Sequence, residues 1–287
     1  MERICLFGSA GFIGSALKYY LLKLGYQVDC PSRELNLEVK KDVAAFFSSR
    51  PSFNLVINAS GSGSVQGSIV NPQNDWNKNV LIVQNIGEAL LSFSTKTTLL
   101  NFSSAAVYGN PSSLPIPEDS DCSPLSPYGK HKLEAEIWLN KQRSEHGLNS
   151  ISLRPFSVYG PGQDKLLIAD LFKRIVVNKE RHVVLFGNGK ESRDFIFIHD
   201  LCLAVDLIIK NHHSLKGPIN IASGQEVRIE TVAKVFSILF NVDITFNGET
   251  RVGDPNNWHA DISLIATLGF APNWTIESGI KEILRHY

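Results

Sequence analysis

The chain predicts an α/β fold, a doubly wound parallel sheet with a smaller C-terminal lobe. Three observations predict it. Apolar runs of strand length alternate with helical patterns through the first half of the 287 residues. A glycine-rich turn, Gly8-Ser9-Ala10-Gly11-Phe12-Ile13-Gly14, joins the first strand to the first helix. Beyond residue 160 the alternation becomes irregular, as a small lobe laid on the sheet's carboxyl edge would be.

Arg3-Ile4-Cys5-Leu6-Phe7 reads as the first strand, and Phe12, Ile13, Ala16, Leu17 and Leu21 recur behind it at helical spacing. Glycine lets a backbone turn sharply and approach a ligand without a Cβ in the way. The unpaired N–H groups and positive dipole of a helix N-terminus attract a pyrophosphate. Gly8, Gly11 and Gly14 are therefore candidate contacts of a dinucleotide. Residues 26–30 read as the second strand, whose end meets the adenosine ribose in such a fold. Ser32 and Arg33 follow it, a hydroxyl and a guanidinium suited to a 2′-phosphate, so NADP(H) is favoured and NAD(H) is the alternative. Asp29, inside the strand, is the competing ribose ligand. Residues 36–50 predict a helix with Val39, Val43, Phe46 and Phe47 on one face. Residues 55–60 predict a third strand ending in small residues, followed by a loop of Gly and Ser. A long helix is expected from Pro72 to Leu91, and residues 97–102 are the fourth strand.

At the end of that strand stand Ser103 and Ser104, and Tyr128 and Lys132 lie four apart at the start of another helix. That spacing puts both side chains on one helical face, where the Lys132 ammonium is expected to lower the Tyr128 phenol pKa and hold a nicotinamide ribose. A phenol so tuned can give or take a proton at a sugar hydroxyl or carbonyl, with Ser104 bonded to the same oxygen.

The remaining lobe is expected to hold a helix over 165–179, strands over 182–186 and 194–198, and helices over 230–240, 262–268 and 276–284. His199 and the pair His212-His213 lack partners at metal-ligand spacing, so no metal is expected. Lys plus Arg and Asp plus Glu number 28 each, which argues against nucleic-acid or membrane-surface partners. No apolar run approaches the roughly 20 residues of a membrane span. Met1-Glu2-Arg3 runs straight into a strand, so no secretory leader is expected and the protein is expected in the cytoplasm. Cys5, Cys30, Cys122 and Cys202 are scattered, which predicts free thiols.

GSAGFIG, SSAAVYG, SPYGKHK, LRPFSVYGPGQ and GNGKESRDFIFIHDL, in that order, make the chain resemble the extended short-chain dehydrogenase/reductase family, the nucleotide-sugar epimerases, dehydratases and reductases. The resemblance covers nearly the whole chain and implies a Rossmann-like fold. It implies that Ser104, Tyr128 and Lys132 are the catalytic triad, with Asn79 a polar support. Gly8, Gly11, Phe12, Ile13 and Gly14 would hold the pyrophosphate and Asn36 would face the adenine. Ala59, Ser103, Pro155 and Val158 would line the nicotinamide side, and Arg193 and Arg251 would grip the diphosphate of a nucleotide-sugar substrate. Where relatives carry Asn in LRPFNVYG this chain has Ser157, a shorter substrate contact. The implied division is 1–160, with 193–222 returning to it, for the dinucleotide, and 161–192 with 223–287 for the substrate. Relatives often dimerise through the helices matching 74–93 and 127–146, which leaves a homodimer open.

Dehydratases of the family place an acidic pair after the serine or threonine of the fourth strand, whereas this chain has Ala105 and Ala106. Two enzymatic readings remain, reduction of a 4-keto sugar nucleotide with NADPH and NAD-dependent 4-epimerisation, and Ser32-Arg33 tips the balance to reduction. A non-catalytic NADP-binding sensor is the reading from another class, and the presence of both Tyr128 and Lys132 argues against it.

Overall fold

The computed structural model describes residues 2–249, 253 and 255–287. In chain order the elements are β1 (Arg3–Phe7), α1 (Phe12–Lys23), β2 (Gln27–Asp29), α2 (Lys40–Ser48), β3 (Leu55–Asn58), α3 (Val65–Val70), α4 (Pro72–Trp76), α5 (Ile82–Phe93), β4 (Thr98–Phe102) and α6 (Pro127–His146). They continue with β5 (Ser150–Pro155), β6 (Ser157–Tyr159), α7 (Leu166–Phe172), β7 (His182–Leu185), β8 (Ser192–Phe197), α8 (Ile198–Asn211) and β9 (Gly217–Ile221). The last are β10 (Glu226–Arg228), α9 (Ile229–Phe240), β11 (Asp243–Phe246), α10 (Ser263–Ala266) and α11 (Ile276–Leu284).

Strands β2, β1, β3, β4, β5 and β9 form one parallel sheet in that order. The chain therefore steps from β1 out to β2 and then reverses across β1 to β3. Such a reversal opens a crevice at the carboxyl ends of the two strands. The pleat of the sheet sorts its apolar residues into two layers. Ile4, Leu6, Leu55, Ile57, Leu100 and Leu153 meet Leu17 and Leu21 of α1 and Leu201 and Val205 of α8. Cys5, Phe7, Val56 and Leu99 meet Val43 and Phe47 of α2, Val83 and Ile86 of α5, and Leu139 of α6. Helices on both faces are why the strands read as unbroken apolar runs.

Several boundaries differ from the sequence expectation for local reasons. The helix expected from residue 36 starts at Lys40, because the Asn36 Oδ1 accepts a hydrogen bond from the Glu38 N–H at 3.0 Å and closes a turn there. The long helix from Pro72 is α4 and α5 joined by a π-helical turn at Asn77–Leu81, which carries Asn79. The glycine and serine loop holds the short α3, capped by Ser64. Strands β5 and β9 have no counterpart in the sequence expectation. β5 is interrupted in hydropathy by Ser152 and the buried Arg154, and β9 opens on Gly217-Pro218.

Past Tyr159 the chain builds two small sheets, one of β10, β8 and β6 and one of β11 and β7. The buried Asp194 carboxylate ties them to the large sheet. Its Oδ1 accepts from the Ser223 N–H and hydroxyl, both at 2.7 Å, and its Oδ2 from Gly224 and Ala260 N–H groups at 3.0 and 3.2 Å. All four cysteines are free, with Cys5 and Cys202 buried. Among the described residues no helix is long and apolar enough to cross a membrane.

Candidate active site

The glycine turn lies at the carboxyl end of β1, where the sheet order reverses. Gly8 has φ +78, a conformation that costs glycine little, and a Cβ on it would overlap the Ala59 backbone after β3. A Cβ on Gly14 would overlap the Gly8 carbonyl. The Gly11 N–H donates to the Gly8 carbonyl at 2.9 Å, and α1 begins on Gly11 with no side chain capping its first turn. The N-terminal N–H groups of α1 thus remain available to an anion. Phe12 and Ile13, the first residues of α1, pack partly against the core behind the turn.

Three buried donors at this end have no hydrogen-bond partner among the described residues, the Asn79 Nδ2, the Asn101 Nδ2 and the Ser103 hydroxyl. A buried unpaired donor costs about 1–3 kcal/mol, and a bound polar ligand relieves that cost. The Asn79 Oδ1 accepts from the Ser62 N–H at 3.3 Å, which turns the amide. Asn58, which the sequence reading did not single out, donates to the Asn101 Oδ1 at 2.9 Å and accepts from the Ser60 hydroxyl, bracing the ends of β3 and β4.

Strand β2 is parallel to β1 with Asp29 level with Cys5, so Ser32 and Arg33 emerge beside the glycine turn. Arg33 is exposed and has no hydrogen bond or ion pair among the described residues. The Asp29 carboxylate faces Arg3 instead, at 3.8 Å. Ser32 lies 3.4 Å from the Glu34 carboxylate. Asn36 is exposed, with its Oδ1 committed to the turn already described.

Ser104 follows β4 and caps a 3₁₀ turn at Ala105–Val107, its Oγ accepting from the Ala106 N–H at 3.1 Å. Helix α6 brings its first turns to the same end of β4. Ser126 caps it by accepting from the Gly129 N–H at 3.2 Å, Pro127 occupies the first turn, and Gly147 ends it in a left-handed conformation. The Tyr128 N–H donates to the Ser68 hydroxyl of α3 at 3.0 Å, an anchor that no sequence motif signals. The Ser104 hydroxyl is close enough to the Tyr128 phenol to act on its pKa. Lys132, one turn further, is buried and donates to the Phe102 carbonyl at 2.8 Å.

The electrostatics correct one expectation. The Lys132 Nζ lies 5.9 Å from the centre of the Tyr128 ring, and burial raises the phenol pKa above its ordinary value. The Ser104 hydroxyl opposes that rise and the Asp75 carboxylate adds to it. Lys132 itself is pushed down to about 8 by burial, against the pull of Asp75 and Glu136. The fold therefore keeps Tyr128 protonated rather than ionising it through Lys132. Asp75 also holds His131 at 2.7 Å, so a carboxylate from α4 sits beside the Tyr128–Lys132 helix face.

A cleft of about 450 Å³ opens between the small sheets and α7, lined by Ser157, Val158 and Arg193 together with Leu166, Arg174 and Phe186. Three of the expected contacts thus share one wall. Pro155 is buried at the end of β5, two residues before that wall. The Arg193 Nη1 donates to the carbonyls of Ser192 at 2.8 Å and Asn256 at 3.2 Å, and its guanidinium stands 5.7 Å from the Trp258 ring. Arg251 lies outside the described residues. Phe186 and Arg174 had no signal in the sequence, since each is a single residue brought to the cleft by β7 or α7.

A model of the NAD dependent epimerase/dehydratase family matches residues 4–222. A putative UDP-glucose 4-epimerase of Methanocaldococcus jannaschii is 28% identical over 98% of this chain and 97% of its own. A probable GDP-L-fucose synthase 1 of Oryza sativa is 28% identical over 99% of this chain and 92% of its own. The structure of RMD from Pseudomonas aeruginosa complexed with NADPH superposes with a TM-score of 0.88 at 25% identity, covering 99% of this chain and 98% of that one. The Thermus thermophilus UDP-glucose 4-epimerase in complex with NAD gives 0.87 at 25% identity, with the same coverage. With the glycine turn, the Ser104, Tyr128 and Lys132 cluster and a parallel sheet that reverses between them, the chain belongs to the NAD dependent epimerase/dehydratase family.

Proposed function

We propose that this protein is an NAD(P)-dependent oxidoreductase of nucleotide sugars that reduces the 4-keto group of a deoxysugar nucleotide with NADPH. The observation that carries the reading is the meeting of Ser104, Tyr128 and Lys132 at the carboxyl end of β4. The turn and the unpaired Asn79 and Ser103 donors fit a dinucleotide, whose nicotinamide would supply a hydride. Tyr128, whose phenol pKa is raised rather than lowered, is in the protonated form that gives a proton to the alkoxide formed at the sugar carbon, while the Ser104 hydroxyl holds the same oxygen. Lys132 holds the ribose. Ala105 and Ala106 have no proton to shuttle, which supports reduction over dehydration.

Residues 1–160 and 193–222 make the dinucleotide half and 161–192 with 223–287 the substrate half. Phe186 offers a ring against a nucleobase, and Arg193 meets the diphosphate beside the short Ser157 contact. The exposed Arg33, beside an Asp29 that is turned to Arg3, supports a 2′-phosphate and hence NADP(H). RMD, similar in fold, is complexed with NADPH. Glu34 favours a second reading: its carboxylate beside Ser32 is the acceptor that a ribose 2′-OH needs, as in an NAD-dependent 4-epimerase.

The test supplies the purified protein with NADPH or NADH and a 4-keto-6-deoxyhexose nucleotide, and in parallel with NAD and UDP-glucose. Net NADPH oxidation with the keto sugar is expected. Arg33→Ala should weaken NADPH by roughly 10- to 100-fold, from about 1.5–3 kcal/mol of charge-assisted bonding, and leave NADH unchanged. Interconversion of UDP-hexoses with retained NAD and no net NADPH oxidation would replace the reductase with the epimerase.

A further inference from the structure

At the amino-terminal edge of the large sheet, away from the cleft, the fold gathers Glu2, His212 and His213. Glu2 precedes β1 and the two histidines follow α8, so the cluster joins segments 210 residues apart. Sequence spacing showed no partner for the histidines because the third group comes from the other end of the chain. One ligand atom from each side chain lies within 4.8 Å of the other two. The two imidazole centres are 3.8 Å apart.

Two features mark the cluster as more than a polar surface patch. His212 is only 4% exposed, and its Nδ1 is committed to the Thr98 hydroxyl at the start of β4 at 2.9 Å. Its Nε2 is buried with no hydrogen-bond partner among the described residues, and so is the Glu2 Oε2. Buried polar atoms are nearly always paired, so an enclosed imidazole nitrogen and an enclosed carboxylate oxygen left open in one cluster call for a shared partner. The Thr98 contact is of the kind that orients a ligating histidine through its other nitrogen.

We infer that Glu2, His212 and His213 form a binding site for a zinc-class divalent transition-metal ion, separate from the catalytic cleft. Two imidazoles and one carboxylate suit Zn²⁺, whereas Mg²⁺ and Ca²⁺ prefer oxygen ligands throughout. Bonds of about 2.0–2.1 Å to a tetrahedral ion place ligand atoms roughly 3.3 Å apart. Rotation of the exposed His213 and the terminal Glu2 closes the cluster to that size around the fixed His212, and water takes the fourth position. Six residues of strand at about 3.3 Å each put roughly 20 Å between Glu2 and Gly8, so the ion takes no part in proton or hydride transfer. It pins the start of β1, the strand that carries the glycine turn, to the connection between α8 and β9.

The test uses the untagged full-length protein, stripped with a chelator and titrated with ZnCl₂ or MgCl₂ by calorimetry. One Zn²⁺ per chain and no Mg²⁺ binding are expected. Glu2→Gln and His213→Ala, both remote from the cleft, should each weaken Zn²⁺ by roughly tenfold or more while turnover without metal stays unchanged. At a hundredfold excess over Kd the unfolding temperature should rise by about 5 °C in the parent and not in the variants. Substitution with Co²⁺ should give the visible absorption of a tetrahedral site, lost in both variants. Absence of Zn²⁺ binding, equal binding of Mg²⁺, or Zn²⁺ binding that survives both substitutions would overturn the assignment.

Discussion

A phenol is protonated at neutral pH, and at Tyr128 nothing works to ionise it: desolvation raises its pKa, and the nearby Asp75 carboxylate acts in the same sense. A protonated phenol is a proton donor to a nascent alkoxide, so Tyr128→Phe should lower single-turnover hydride transfer by about 10²–10⁴-fold with cofactor affinity nearly intact. Nicotinamide absorbance in a rapid-mixing experiment measures this; an unchanged rate would remove Tyr128 from the mechanism. Lys132 gives a pH dependence with a definite sign. In the free protein burial holds it at about 8, and a ribose and pyrophosphate bound beside it favour the ammonium. Cofactor binding above pH 8 must therefore take up a proton. Affinity is full below 8 and falls as pH rises through 8, by up to about tenfold per unit. Calorimetry in buffers of different ionisation enthalpy should show fractional proton uptake near pH 8 and none near pH 6.

Helix α6 is held in place by more than its caps. One turn beyond Lys132, the Glu136 carboxylate accepts from the Arg154 Nε at 3.1 and 3.2 Å and from its Nη2 at 2.6 Å, all buried. Arg154 also donates to the Tyr108 hydroxyl at 2.8 Å, which in turn donates to the Asn220 Oδ1 at 2.6 Å. This chain of bonds ties α6 to β5 and β9 behind the catalytic face. Glu136→Gln keeps the shape and removes the charge, leaving a buried guanidinium uncompensated at a cost of about 3–5 kcal/mol. The urea midpoint should fall with the slope unchanged, whereas a loss under about 1 kcal/mol would mean that packing alone seats the helix.

The cleft is a property of the whole molecule, since its walls come from β6 and β8, α7 and the segment after β11. Arg193 reaches it from β8, braced by the Ser192 and Asn256 carbonyls. Arg193→Lys keeps the charge and loses the planar fork, and should weaken a nucleoside diphosphate sugar by roughly tenfold without changing cofactor affinity. Titration of each ligand separately checks it, and equal substrate affinity in parent and variant would take Arg193 out of the site.

Short-range information in the chain was enough for β1, its glycine turn and α1, for the start of α6 at Ser126-Pro127, and for α11, because cap residues and apolar period act within one or two turns. It also placed Ser104, Tyr128 and Lys132 near one another, since strand end and helix start are fixed points of a parallel sheet. Tertiary structure alone decided the rest. β5 and β9 are strands because groups from outside the sheet pair their buried polar residues, Glu136 of α6 with Arg154 and Tyr108 with Asn220. The direction of the Tyr128 pKa depends on burial and on Asp75 from another helix, quantities that an i, i+4 spacing does not contain. Glu2 meets His212 and His213 only because parallel strands align their amino-terminal ends, which brings the first residues of the chain beside a helix end 210 residues later. Spacing along the chain carries local conformation, while burial and the pairing of distant charges exist only once the layers are packed.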